Sequence, residues 1–152
     1  MITFFVPGVP VGKQRARSST RITTGANGKA KATTRHYTPP ETVNYEALVS
    51  WTAKKAIGSL PLITGPVDIE LQIFLPVPAS WPKRRRALAL AGLVLPTVKP
   101  DVDNIEKAIS DALNKVVWRD DAQVCDVVKR KRYSEQPGVM VKIKTIENAE
   151  AA

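Results

Sequence analysis

The chain has 152 residues, 43% of them hydrophobic, which suits one domain with a core of its own and no need of covalent staples. Its 23 Lys and Arg outnumber 14 Asp and Glu, and the formal net charge of +9 makes a polyanion the natural partner. A single cysteine, Cys125, excludes an intrachain disulfide and a thiolate zinc site, and a single histidine, His36, argues against a multi-histidine metal centre.

Met1 to Val6 lacks the pattern of a cleaved signal, and Ile2 to Val6 reads as a first strand stopped by Pro7 and Gly8. No apolar run is long enough to span a membrane, and the single cysteine fits a reducing cytoplasm, which is the expected setting. Between Gly12 and Pro40, Lys13, Arg15, Arg17, Arg21, Lys29, Lys31 and Arg35 occur without one acid, which predicts a mobile basic loop (12–40) that contacts phosphate. Glu41 to Ile57 is expected to be helical, with Pro39-Pro40 before it and Gly58 after it. Val67 to Leu75 alternates with period two, the mark of a half-buried strand. A short basic helix follows through Lys83, Arg84, Arg85 and Arg86 to about Gly92, and Pro96 and Pro100 bracket an extended approach to an acidic motif.

A helix is expected from Asp103 to about Val117. Ile105, Ala108, Ile109, Ala112, Leu113 and Val116 share one face, and Asp103, Lys107, Asp111 and Asn114 the other. Ala122 to Tyr133 and Val139 to Thr145 read as a closing hairpin around Pro137-Gly138. Residues 147–152 read as a frayed tail, so a single domain over 1–146, without internal repeats, is expected.

Asp101-Val102-Asp103-Asn104-Ile105-Glu106-Lys107, answered by Asp120-Asp121, gathers acid in a basic chain. Such carboxylates suit a hard divalent cation such as Mg²⁺ or Mn²⁺. The bland alternative is a helix cap, with Asp103 and Glu106 forming a capping box and Asp120-Asp121 an acidic turn. Asp101 and Asp103, two apart in extended chain, point the same way and can reach one spot beyond the helix start. The Asp120-Asp121 loop starts from the far end of a helix about 20 Å long, so it must double back to join them. The residues alone leave the cap and the metal site both open.

Asp101-x-Asp103-Asn104-x-x-Lys107-Ala108, then Asp111-Ala112-Leu113 and Trp118-x-Asp120-Asp121-Ala122-Gln123-Val124, resembles the RusA family of Holliday junction resolvases. Pro7-Gly8-Val9-Pro10, Lys13-Gln14-Arg15-Ala16-Arg17 and Tyr37-Thr38-Pro39 are similar to the opening of its phage and prophage members, with Gly25 to Lys31 as an insert. The resemblance implies an α/β (α+β) fold with a small mixed sheet of about four strands and two main helices against it. It also implies a Mg²⁺-dependent homodimer that cuts branched DNA, with Mn²⁺ able to substitute. Asp101, Asp103 and Asp121 carry over as metal ligands and Lys107 as an essential catalytic position; Asp111 and Asp120 match positions without an assigned role.

Beside three carboxylates Lys107 is expected to stay protonated, so its part is charge stabilisation or water positioning rather than proton abstraction. Lys13, Arg15, Arg17, Arg84, Arg85, Lys129 and Lys131 are the expected DNA contacts. Strand alternation allows only one of the pairs Lys129/Lys131 and Arg130/Arg132 to face DNA. Two other readings remain at this point: a broader branched-DNA nuclease, and a non-catalytic nucleic-acid-binding module.

Overall fold

The computed structural model describes residues 1–149, so only part of the expected 147–152 tail falls within it. Six strands and three helices follow one another as β1 (Ile2–Pro7), β2 (Arg17–Thr24), β3 (Ala30–Tyr37), α1 (Pro40–Ile57), β4 (Val67–Leu75), α2 (Lys83–Leu90), α3 (Val102–Leu113), β5 (Val124–Tyr133) and β6 (Gly138–Thr145). A mixed sheet of order β1-β6-β4-β5 forms the body, and β2 and β3 make a separate two-stranded sheet. This is the small α+β architecture expected from the sequence.

Alternation decides how the sheet is covered. Val67, Ile69, Leu71, Ile73 and Leu75 of β4 are buried, as are Val139, Val141 and Ile143 of β6 and Phe4 and Val6 of β1. All but Leu75 join Tyr45, Val49, Ala53 and Ile57 of α1 and Ile105, Ala108, Ile109 and Leu113 of α3 in one core. At about 1.5–3 kcal/mol for each large apolar side chain fully buried, this layer is the main source of stability. A smaller cluster of Leu75, Val77, Ala89 and Tyr133, with Trp81, Leu90 and Val94 against it, seats α2 at one end of the sheet.

Two expectations are corrected. β5 and β6 are not a hairpin: β4 lies between them, parallel to β5 and antiparallel to β6. The Ser134–Pro137 link passes the end of β4, where the Ser134 N–H donates to Leu75 O at 2.9 Å. Nothing local distinguishes a tight hairpin from a link that skips one strand; β4, with one whole face buried, takes one of the two interior places, flanked on both edges. The 12–40 segment is not a loop but largely a hairpin, β2 paired with β3 in register from Arg17↔Tyr37 to Thr24↔Ala30. Its signals were present in the Thr-rich strands and in Asn27-Gly28, where Gly28 takes φ +76° and its N–H donates to Gly25 O at 2.9 Å.

Candidate active site

α3 begins at Val102, one residue before the expected start, and Asp101 is its N-cap residue, in extended conformation and without a side-chain cap bond. Asp101 and Asp103 therefore straddle the helix start instead of lying in one extended stretch, so strand alternation does not aim them at one spot. Neither makes a capping box. Asp103 stands 81% exposed and accepts from Lys129 Nζ of β5 at 2.5 Å. Glu106 lies 3.9 Å from the same ammonium and accepts from Ser110 Oγ at 2.8 Å.

The return of the acidic turn is settled by the residues after α3. The helix ends at Leu113, four residues short of the expected Val117. Asn114 leaves helical conformation with ψ 129°, and Lys115 adopts φ +63°, a left-handed conformation costly for a side chain with Cβ. Buried Trp118 holds this reversal: its Nε1–H donates to Asn114 Oδ1 at 2.9 Å, and its carbonyl accepts from Lys115 N–H at 2.6 Å. The chain then runs back beside α3 into a single 3-10 turn, Asp121–Gln123. Asp120 and Gln123 cap that turn reciprocally, so the capping box expected at Asp103 stands at Asp120 instead. The Ala122 N–H donated to Asp120 is the leading cause that holds its carboxyl below the usual range.

Asp121 thus arrives at the middle of α3 rather than its start. Lys107 Nζ lies 3.0 Å from Asp121 Oδ2 and 2.9 Å from Asp111 Oδ1. Asp111 also lies 3.2 Å from Lys13 Nζ, which donates in turn to Glu46 Oε1 of α1 at 2.5 Å. Glu46, Lys13, Asp111, Lys107 and Asp121 form a chain of alternating charge across α1, the β1–β2 link and α3. Hydrogen bonds from Lys107 to Asp111 and Asp121 push its ammonium pKa well above the ordinary lysine value. Burial opposes the charge of Lys13, but hydrogen bonds to Glu46 and Asp111 outweigh it and its pKa also rises.

Three of the expected DNA contacts change character here. Lys13 belongs to the charged chain, and Lys129 neutralises Asp103. Lys131 Nζ donates to Val98 O at 2.7 Å and Pro100 O at 3.2 Å, which holds the approach to α3. The other alternating pair lies elsewhere: Arg130 Nη1 is 3.5 Å from Glu70 Oε1. Arg84 stays exposed on α2, and Arg85 lies over the Trp81 ring at 3.8 Å. Arg15 lines a cleft of about 830 Å³ with Lys13, Gln14, Glu41, Lys99, Asp101 and Asn104. The cleft wall depends on Gly12, where a Cβ would stand 3.1 Å from those of Pro100 and Asn104, and on the Lys13 N–H donated to Asn104 O at 2.8 Å.

Among the described residues no three His, Cys, Asp or Glu side chains converge closely enough to hold a metal ion. Ammonium groups lie between the carboxylates instead. The carboxylates fall in two groups, Asp103 and Glu106 on Lys129, and Glu46, Asp111 and Asp121 on Lys13 and Lys107, each with a formal excess of one negative charge in a chain of +9. Hard oxygen donors with that charge excess, and with Asp103 open to solvent, fit a divalent cation by donor chemistry.

Sequence reasoning missed Glu46, Asp111 as the shared partner of two lysines, and Gln123. The Gln123 side-chain carbonyl accepts from the N–H groups of Arg119 and Asp120 at 2.9 and 3.1 Å. Its amide donates to Ile63 O and Gly65 O at 2.8 and 2.9 Å. It ties the Asp120-Asp121 turn to the segment before β4, so Gln123→Ala should lower kcat about tenfold or more with little change in DNA affinity. Gln123→Glu, which keeps the accepting oxygens but sets a carboxylate against the Ile63 and Gly65 carbonyls, should restore little of that loss; equal loss of kcat and of affinity in Gln123→Ala would mean that the turn has no special bearing on chemistry.

The sequence matches the family described as endodeoxyribonuclease RusA over residues 7–144, which takes in β2 to β5, nearly all of β6, the acidic turn and the whole of α3. It is also 38% identical over 149 residues to the uncharacterized protein YqaN of Bacillus subtilis (strain 168), across 95% of this chain and 96% of that protein. With the cleft, the lysine-linked carboxylates and the match lying on the same residues, the chain belongs to the RusA family and is an endodeoxyribonuclease.

Proposed function

We propose that the enzyme resolves four-way DNA junctions by paired, symmetric cuts, with Mg²⁺ as its ion and Mn²⁺ as substitute, in recombination and repair within the cytoplasm. The observation that carries this reading is Lys107 lodged between Asp111 and Asp121, beside a cleft bearing Asp101 in a strongly basic protein. Asp101, Asp103 and Asp121 would hold the ion by drawing together, with Asp103 leaving Lys129 and Asp121 leaving Lys107, since they stand apart in this structure. When bound, it supplies Lewis acidity and charge neutralisation at the scissile phosphate. Lys107, an ammonium at every pH below its raised pKa, stabilises the charge that grows on the phosphoryl oxygens and is no proton acceptor. Asp111 and Glu46 hold Lys107 and Lys13 in place, and Lys129 keeps Asp103 directed toward β5.

A four-way junction has two equivalent strands to cut, and a C₂ homodimer offers two equivalent sites. Among the described residues no helix is long and apolar enough to cross a membrane, consistent with an enzyme that works on DNA. The test is a cleavage panel of junction, flap, fork and duplex, with Mg²⁺ or with EDTA. Paired cuts on junctions alone, only with the ion, are expected. Equal cutting of flaps and forks would replace the proposal with a broader branched-DNA nuclease, and cutting in EDTA would remove the metal. Light scattering that gave a monomer with full resolution activity would remove the two-site dimer.

A further inference from the structure

The β2–β3 hairpin carries every residue of both strands exposed, yet its side chains are sorted. Residues directly opposite in an antiparallel pair share a face. One face therefore takes Arg17 with Tyr37, Ser19 with Arg35, Arg21 with Thr33 and Thr23 with Lys31. The other takes Ser18 with His36, Thr20 with Thr34, Ile22 with Ala32 and Thr24 with Ala30; the Thr20 and Thr34 hydroxyls meet at 3.1 Å. All four formal charges of the strands, each of them positive, thus fall on one face. They step along the ribbon about every 6.6 Å, alternately from β2 and β3, over about 20 Å.

Charges that served only to keep an exposed strand edge from pairing with other chains need no such sorting, because either face would do. An isolated two-stranded ribbon is also marginal in water, so a partner that orders it fits its exposure. The ribbon springs from the cleft rim: Lys13, Gln14 and Arg15 lead into β2, and Glu41, just past β3, lines the same cleft. Gln14 Nε2 donates to Glu41 Oε2 at 3.1 Å, which closes the two roots on each other.

We propose that this hairpin is a one-faced β-ribbon arm that lays Arg17, Arg21, Lys31 and Arg35 along the phosphates of a duplex arm of the bound DNA. At about 3.4 Å for each phosphate step along a strand, a span of about 20 Å covers about six base pairs, so the charged face can follow one backbone ridge. The contacts are to phosphate, so the arm adds affinity and position and no sequence preference. The inference rests on the reading of the enzyme as acting on branched DNA.

The test measures junction binding in EDTA across a salt series, with amide NMR at Thr20 and Thr34 reporting whether the ribbon is folded. A neutralised variant carries Arg17→Gln, Arg21→Gln, Lys31→Gln and Arg35→Gln. A transposed variant adds Ser18→Arg, Ile22→Arg, Ala30→Lys and Thr34→Arg, which restores charge and spacing on the opposite face. A same-face variant carries Arg17→Lys, Arg21→Lys and Arg35→Lys. Neutralisation should weaken binding about 10- to 100-fold and flatten the slope of log affinity against log salt by about 3–4. The transposed protein should stay weak, and the same-face protein should bind within about threefold of wild type. Wild-type affinity in the neutralised protein, whether or not its oligomeric state changes, overturns the proposal, as does wild-type affinity in a transposed protein with a folded ribbon. So does the same-face protein if it binds as weakly as the neutralised one. Face-dependent binding without junction cleavage by the wild type would sink the resolvase reading alone and leave the arm standing.

Discussion

Asp101→Asn, Asp103→Asn and Asp121→Asn should each lower junction cleavage at least about 10³-fold while junction binding is kept or tightened. Each change removes a hard donor and one negative charge, so it weakens cation binding and at the same time lessens repulsion of phosphate. Folding should scarcely register the loss at Asp103, which is 81% exposed and paired only with lysine at the surface. An exposed pair of that kind is worth about 0–1 kcal/mol, so the melting temperature should fall by no more than a few degrees. Cleavage, binding and melting measured on the same preparations decide the matter. Parallel loss of all three would make these aspartates structural, and unaltered cleavage by any one would remove it from the site.

Lys107→Ala should lower kcat about 10²–10³-fold with less than about threefold change in affinity. One ammonium is a small part of a surface with 23 Lys and Arg, yet this one is held between Asp111 and Asp121 beside the cleft. Its pKa is raised by hydrogen bonds to those carboxylates, so it carries its charge throughout neutral pH and any inflection of the rate there belongs to another group. The pH–rate profile of Lys107→Arg should accordingly keep the wild-type shape at a reduced plateau. A wild-type profile with a limb near neutrality that Lys107→Arg abolishes would make Lys107 a proton carrier instead. Near-normal kcat in Lys107→Ala would exclude it from the chemistry altogether.

Much of the body was legible because a buried face imposes a period. The alternation of Val67 to Leu75 and the apolar stripe of Ile105, Ala108, Ile109, Ala112 and Leu113 reappear as the buried sides of β4 and α3. The basic helix and the long first helix lie within a residue or two of their expected bounds, since proline and glycine punctuate both. The basic segment departs from its expected loop because charge masks strand propensity: a string of cations and threonines reads as loop until an Asn-Gly turn folds one half onto the other.

By itself, the sequence determined the chemical inventory and the family: a basic chain, clustered aspartates, one lysine a turn after Asp103, motifs of specific order and spacing from about Pro100 to Tyr133, and a family match over residues 7–144. It also determined that Asp120-Asp121 must double back if it is to join the site, because a helix has a fixed rise per residue. Where that return ends was decided only in three dimensions. Trp118 buries its ring and turns the chain at Asn114 and Lys115, so Asp121 meets Lys107 and not Asp103. The placement of β4 between β5 and β6, the bridging of Glu46 and Asp111 by Lys13, and the diversion of Lys129 to Asp103 are likewise tertiary. Each joins residues far apart in sequence, and such pairs are chosen by competition among partners for one core and one charged surface, which no local pattern encodes.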